Sequence, residues 1–477
     1  MYTEKDLSGK FDAVVSLAGY WNRTMPNKPG KKGGGVQQSK WAGLITLLEE
    51  FSKFAADYKE LLNQAPIANQ RFIMNRGAQH LLQNFNVLSR ASEQRRGRNT
   101  ADSLHNFLFQ AETKLEEYCS QWQPSNGAFV SSYIILKTPV VYFEKLYGIT
   151  RAIYAPEIPV ISIPLTEYNN PDRWQALAHE TGHHIYWNAL RSLEEVESLH
   201  IEMYKAIKDA IRPGSDSVDL WGSWLEEIFA DICGTLLDGP RYLVSSQEFA
   251  IEQTKKTEDL AKNDNEHPSL YLRPRIVAEV MQEIAGHIKD ETLQSVLMTL
   301  VQRWKDFSLA ADSLECKGTS HTLESLAAEV RPLVHAILYS PVWPGQRKLL
   351  DLIRFYGKDA FDEADRQALQ YLQFPQLVSP QHSPQSERQL LLAPYPIAGP
   401  SDELIPDSLK EVWSFLKKRV DVSKLSDSEK ALEHWNTLLA LSLDEFHGHS
   451  IAHTYPDQHW YYWTIHTHSG DTGEPIS

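Results

Sequence analysis

Two histidines four residues apart, His179 and His183, with Glu180 between them, constrain this chain more than any other stretch. On a helix that spacing stacks both imidazoles on one face, about one turn apart. Two imidazoles on one face can share a metal ion, and a carboxylate beside them can activate a water at that ion. This is the H-E-x-x-H pattern of zinc sites. The alternative is an amphipathic helix in which two histidines fall at this spacing by chance.

The flanking residues predict the helix. Asn170, Pro171 and Asp172 read as an N-cap, a proline in the first turn and an acid at the positive end of the helix dipole. Trp174, Leu177, Ala178 and Thr181 recur at three- and four-residue spacing, as a buried stripe does. Gly182 costs such a helix about 1 kcal/mol relative to alanine. A residue that small lets another element, or a substrate, come close.

A catalytic zinc commonly has three protein ligands and one open position. Residues 217–240 can supply the third ligand. They read as helix, closed by Gly239 and Pro240. Glu227 and Asp231 are four apart and share a face with Leu220, Trp224 and Ile228. Carboxylates buried there are costly unless paired or bound to metal. Glu226 has only Ala230 at the same offset and is the weaker candidate. Cys233 points off this face and reads as a small buried residue.

H-E-x-x-H followed by E-x-x-x-D on a later helix resembles the gluzincin zinc metallopeptidases. The resemblance implies that His179, His183 and Glu227 bind Zn2+, that Asp231 orients a zinc histidine, and that Glu180 is the general base. Residues 267–273 have the form H-P-S-x-x-x-R, similar to the segment that follows the second helix in HtpX-like and CAAX-processing peptidases. By that likeness His267 and Arg273 face the substrate oxyanion. Tyr271 stands in reserve, since a phenol can also donate there. The likeness covers about residues 158–280 and excludes the membrane helices of those relatives. It implies a mainly α (α+β) fold. A zincin-like core would carry a small antiparallel sheet beside the zinc helix, with helical regions on both sides. The expected activity is peptide-bond hydrolysis by a zinc-activated water. An interaction protein built on a zincin-like scaffold, or a zinc hydrolase acting on something other than peptides, are the alternatives.

The remaining chain divides by composition. Residues 1–38 read as a flexible segment, its glycine-rich run at 25–35 lacking the spacing of a phosphate loop. Residues 39–125 read as helical, with apolar stripes through Leu44, Leu48 and Phe51 and through Phe107, Ala111 and Leu115. The basic, glycine-broken run at 90–98 reads as an exposed loop. Its alternative is a docking patch through which the N-terminal helical region meets an acidic protein partner. Residues 126–310 hold the metallopeptidase core. Within them, 158–165 place Pro159 and Pro164 in a β-branched run, which predicts an edge strand. Such a strand can pair with an extended peptide substrate. Residues 311–425 read as a helical C-terminal region. Residues 426–477 read as a helix followed by a tail rich in histidine and aromatic residues, with a second metal site as the alternative to simple packing.

Composition excludes several classes. A net charge of −15 argues against a general nucleic-acid binder. No run of about 18 apolar residues predicts a membrane span. Three scattered cysteines form no C-x-x-C pair, and the acidic N-terminus shows no secretory pattern, so a reducing, cytoplasmic setting is expected.

Overall fold

The computed structural model describes residues 41–355, apart from short stretches within that span, and isolated residues before Trp41. The N-terminal glycine-rich run, Asn170 to Asp172, and everything after Phe355, including the histidine-rich tail, lie outside the described residues.

Three helices come first: α1 Ala42–Gln64, α2 Ala68–Arg96 and α3 Asp102–Gln121. Strands β1 Val140–Glu144, β2 Gly148–Thr150 and β3 Val160–Pro164 follow. Helix α4, Gln175–Asn188, then leads to α5 Leu193–Ala210, α6 Val218–Ser223, α7 Leu225–Asp238 and α8 Pro240–Glu252. Beyond them lie α9 Arg273–Ala285, α10 Glu291–Asp306, a hairpin of β4 Ser313–Cys316 and β5 Thr319–Thr322, α11 Leu323–Tyr339 and the short α12 Leu349–Leu352. The fold is mainly α with two small sheets, as expected. No described helix is long and apolar enough to cross a membrane.

The apolar stripes become the core. Leu44, Leu48 and Phe51 are buried on α1, as are Phe107, Ala111 and Leu115 on α3 and Leu326, Val330 and Leu333 on α11. One continuous core runs from Phe107 to Phe355, so α3 and α11 share it with the helices between them.

The sheet corrects two expectations. It is mixed, in the order β1-β3-β2: β3 runs parallel to β1 and antiparallel to β2. Residues 158–165 therefore supply the central strand, and the edge-strand reading is wrong. All five residues of β3 are buried, and its backbone is paired on both sides. No extended substrate can add to it. The prolines mislead because they sit at the ends. Pro159 precedes the strand and Pro164 is its last residue, so the residues between keep every N–H the two ladders need.

The basic run at 90–98 corrects a third. It is no exposed loop up to Arg96, because α2 continues through it as helix. Arg95 is buried. Its guanidinium pairs with Glu112 on α3 and donates to the Val141 carbonyl at 2.7 Å. Glu112 accepts from the Val141 N–H at 3.0 Å. Gln94 repeats the device one pleat along, accepting from the Phe143 N–H at 2.7 Å and donating to the Phe143 carbonyl at 2.9 Å. Arg90 pairs with Glu144. Helix side chains thus satisfy the outward-facing backbone groups of β1 that a further strand would otherwise seek. Arg90 and Arg95 are thus spent on this sheet edge.

Helices α4 and α7 cross at Gly182. A Cβ there would stand 2.7 Å from the Ala230 Cα and 2.9 Å from the Cys233 Cβ. The small residue is needed because another helix lies against it. Helix α7 is buried along its whole length, although it carries Glu226, Glu227, Asp231 and Asp238. Each of those carboxylates therefore needs a partner.

Candidate metal centre

The crossing of α4 and α7 brings three donor groups to one point. His179 Nε2 and His183 Nε2 stand 3.0 Å apart. Glu227, in the first turn of α7, reaches across both: one carboxylate oxygen lies 3.4 Å from His179 Nε2 and the other 3.3 Å from His183 Nε2. His179, His183 and Glu227 form a group that can hold a metal ion.

The opposite side of each ring explains the arrangement. His183 Nδ1 lies 2.9 Å from a Glu226 oxygen, which also accepts from Trp187 Nε1 at 2.7 Å. His179 Nδ1 lies 3.0 Å from Asp231 Oδ1. Ionised carboxylates only accept, so both Nδ1 atoms carry a hydrogen, and in the neutral form of each ring Nε2 presents a lone pair. Two lone pairs and a carboxylate then face one another with no hydrogen between them. That is repulsive until a cation, either a proton or a metal ion, joins them. Ligand atoms around a tetrahedral zinc with bonds of ~2.0–2.1 Å stand about 3.3 Å apart. The three separations here match that edge. The residues present therefore fit a divalent ion bound by two imidazoles and one carboxylate.

Asp231 is itself held on every side. Arg273, the first residue of α9, donates to it from Nε at 2.8 Å and from Nη2 at 2.7 Å. The Tyr242 hydroxyl donates to Oδ1 at 2.7 Å and lies 3.1 Å from His179 Nδ1. Burial alone would raise the Asp231 pKa, but Arg273 and His179 outweigh it and hold the carboxyl far below its ordinary range. Glu227 behaves alike: burial opposes ionisation, while His267, His183 and His179 drive its pKa well down. The imidazoles move the other way. Burial lowers them, but Asp231 and Glu227 raise His179, and Glu227 with Glu226 raises His183 further. Burial first, then the Asp231 charge, pushes the Tyr242 phenol up, which keeps its proton in place to donate.

Glu180 sits on α4 between the two histidines and is 3% exposed. Among the described residues its carboxylate has no hydrogen-bond or ion-pair partner. A buried carboxylate in that condition is costly unless a water or ion completes it.

The H-P-S-x-x-x-R segment reaches the same place but not in one role. His267 Nε2 lies 3.4 Å from a Glu227 oxygen, with its side chain 21% exposed. Arg273 instead engages Asp231 with two donors and comes within 3.8 Å of Glu227. Tyr271 turns toward Arg275, whose Nη2 donates to its hydroxyl at 2.5 Å and whose guanidinium lies over its ring. Cys233 is buried in the helix crossing and takes no part.

Glu226 and Tyr242 are the residues that sequence reasoning missed. The four-residue offset separates ligand from non-ligand but says nothing of a carboxylate on the other side of a ring. The only signal for Glu226 was its place beside Glu227. For Tyr242 it was the immediate restart of helix after Gly239, which folds residue 242 back along α7. No protein-family model, curated protein or solved structure matches the chain.

Proposed function

We propose that this chain is a zinc metallopeptidase of the gluzincin type, with His179, His183 and Glu227 as the zinc ligands. The observation that carries the reading is the convergence of those three groups beside Glu180, a buried carboxylate with no protein partner among the described residues. When bound, zinc polarises a scissile carbonyl and makes a water acidic enough to attack near neutral pH. Glu180 accepts the proton of the attacking water and returns it to the leaving amine. His267, beside Glu227 and partly exposed, is the group placed to donate to the oxygen on which charge develops. Arg273 and Asp231 keep His179 in the tautomer that leaves Nε2 free. Three buried cysteines that form no disulfide suit a reducing, cytoplasmic setting.

The test is a proteome-wide cleavage profile of wild type against Glu180→Gln, with metal content measured in both. The variant should retain about one zinc per chain and lose nearly all cleavage, since an amide cannot take the proton. Cleavage unchanged in the variant rules the mechanism out. A second reading, a zinc hydrolase of small amides or esters, has one point in its favour: no side chain of the metal group is more than 13% exposed. Turnover of small amides without any peptide cleavage would select it.

A further inference from the structure

We infer that Tyr242 is a positioning residue for the metal: its phenol locks the His179 imidazole through Asp231 and so sets how tightly the ion is held. The inference rests on the metal reading of the site.

The phenol has two contacts at once. Its O–H donates to Asp231 Oδ1 at 2.7 Å, and its oxygen lies 3.1 Å from His179 Nδ1. A hydroxyl that donates in one direction keeps lone pairs to accept in another. The single Nδ1 hydrogen of His179 is therefore shared between Asp231 Oδ1, 3.0 Å away, and the phenol oxygen. One acceptor lets a ring swing about the bond. Two acceptors on different elements fix its plane, and with it the direction of the Nε2 lone pair.

The backbone around Tyr242 makes this contact possible. Gly239 ends α7 with φ 57°, in the left-handed region that glycine enters freely, and Pro240 begins α8 at once. The chain reverses and brings residue 242 back beside Asp231. Gly234 then gives the ring room: a Cβ there would stand 2.6 Å from two atoms of the Tyr242 ring. Tyr242 is 6% exposed, so its hydroxyl has these partners in place of water. Arg273 holds Asp231 from the other side. With both clamps Asp231 Oδ1 is surrounded by three donors, and its position is no longer free.

The role is distinct from packing, and Tyr118 supplies the control. It too is a buried tyrosine whose hydroxyl bonds a carboxylate of α7, Asp238, but at the end away from the ligands. Tyr242→Phe and Tyr118→Phe each remove one phenol–carboxylate bond from the same helix. Each full-length variant and wild type is loaded with Co2+ for its visible spectrum, and with Zn2+ for release to a chelator. Tyr242→Phe should still bind one ion, show altered cobalt ligand-field bands and release zinc roughly 10- to 100-fold faster. Tyr118→Phe should match wild type in both. On an Asp231→Asn background, Tyr242→Phe should add little further, because the phenol acts largely through that carboxylate. Unchanged spectrum and release in Tyr242→Phe overturn the inference, as does an equal change in Tyr118→Phe. Wild type that binds neither ion removes the metal reading itself, and the inference with it.

Discussion

At the β1 edge, Arg95 meets Glu112, and the surrounding donors and acceptors are the backbone groups of Val141. At the α4–α7 crossing, Glu180, Glu226, Glu227 and Asp231 are buried around two imidazoles and the Arg273 guanidinium. Both regions bury charge between elements far apart in sequence. The first is balanced: cation matches anion and the Val141 groups are satisfied, with the Arg95 Nε left without a hydrogen-bond partner. The second carries an excess of acceptors directed at one point. The ionisation of the two follows suit. Burial outweighs Arg95 and pushes the Glu112 pKa up, whereas Glu227 and Asp231 are held well down by the cationic groups around them. A buried charge cluster that balances itself is architecture. One whose acceptors converge without a matching cation is a group that can hold a metal ion.

Substitutions can break that contrast, and under the proposed zinc reading the largest effect is expected at His179, His183 and Glu227. Glu227→Ala should reduce zinc from about one per chain to near zero. Glu226→Ala should keep zinc but weaken it by roughly 10- to 100-fold, because it removes only the partner of His183. Metal analysis after dialysis separates the two. The reverse pattern would make Glu226 the ligand.

At the balanced cluster the loss should be in stability alone. Glu112→Ala leaves Arg95 buried without its carboxylate and should cost about 3–5 kcal/mol in urea unfolding, with zinc content unchanged. Replacing both, as Arg95→Met with Glu112→Leu, should recover only part of it, because the Val141 N–H and carbonyl then lose their partners. The pH dependence sharpens this. Because the folded pKa of Glu112 lies above its ordinary 4.5, the native state holds that proton longer than the unfolded chain. Its contribution therefore declines as pH rises from about 4.5 through the folded value. Glu112→Gln should flatten that slope.

Two neighbouring residues of one segment should part company. His267→Ala should lower kcat by roughly 10²–10³ and leave zinc in place. Arg273→Ala should loosen zinc as well, since Arg273 holds Asp231. Identical behaviour of the two variants would argue for one shared role. The smallest effect belongs to Gly182→Ala, which forces α4 away from Ala230 and should cost about 1–3 kcal/mol, with faster zinc release.

Much of the centre was legible because it is local. His179 with His183, and Glu227 with Asp231, are each a single helical offset, and that offset survives folding unchanged. Gly182 was legible as a close approach for the same reason. What failed depends on distant partners. Arg95 reads as a solvated cation until Glu112 is placed beside it from another helix. Residues 158–165 read as an edge because of Pro159 and Pro164, yet a strand's place in a sheet depends on its neighbours. Tyr242 needs the angle at which α8 leaves Gly239, and no periodicity records an angle.

The side chains that close the β1 edge also bear on how the chain reaches its native state. Gln94 and Arg95 meet their backbone partners across 46 to 49 residues of sequence, and Glu112 across 29. Until α2 and α3 dock, β1 presents open N–H and C=O groups on a strand of valine, tyrosine and phenylalanine. An unguarded edge of that kind pairs with other chains when concentration and time allow. Refolding yield should therefore fall with protein concentration, and Gln94→Ala should steepen that fall while leaving the metal centre intact.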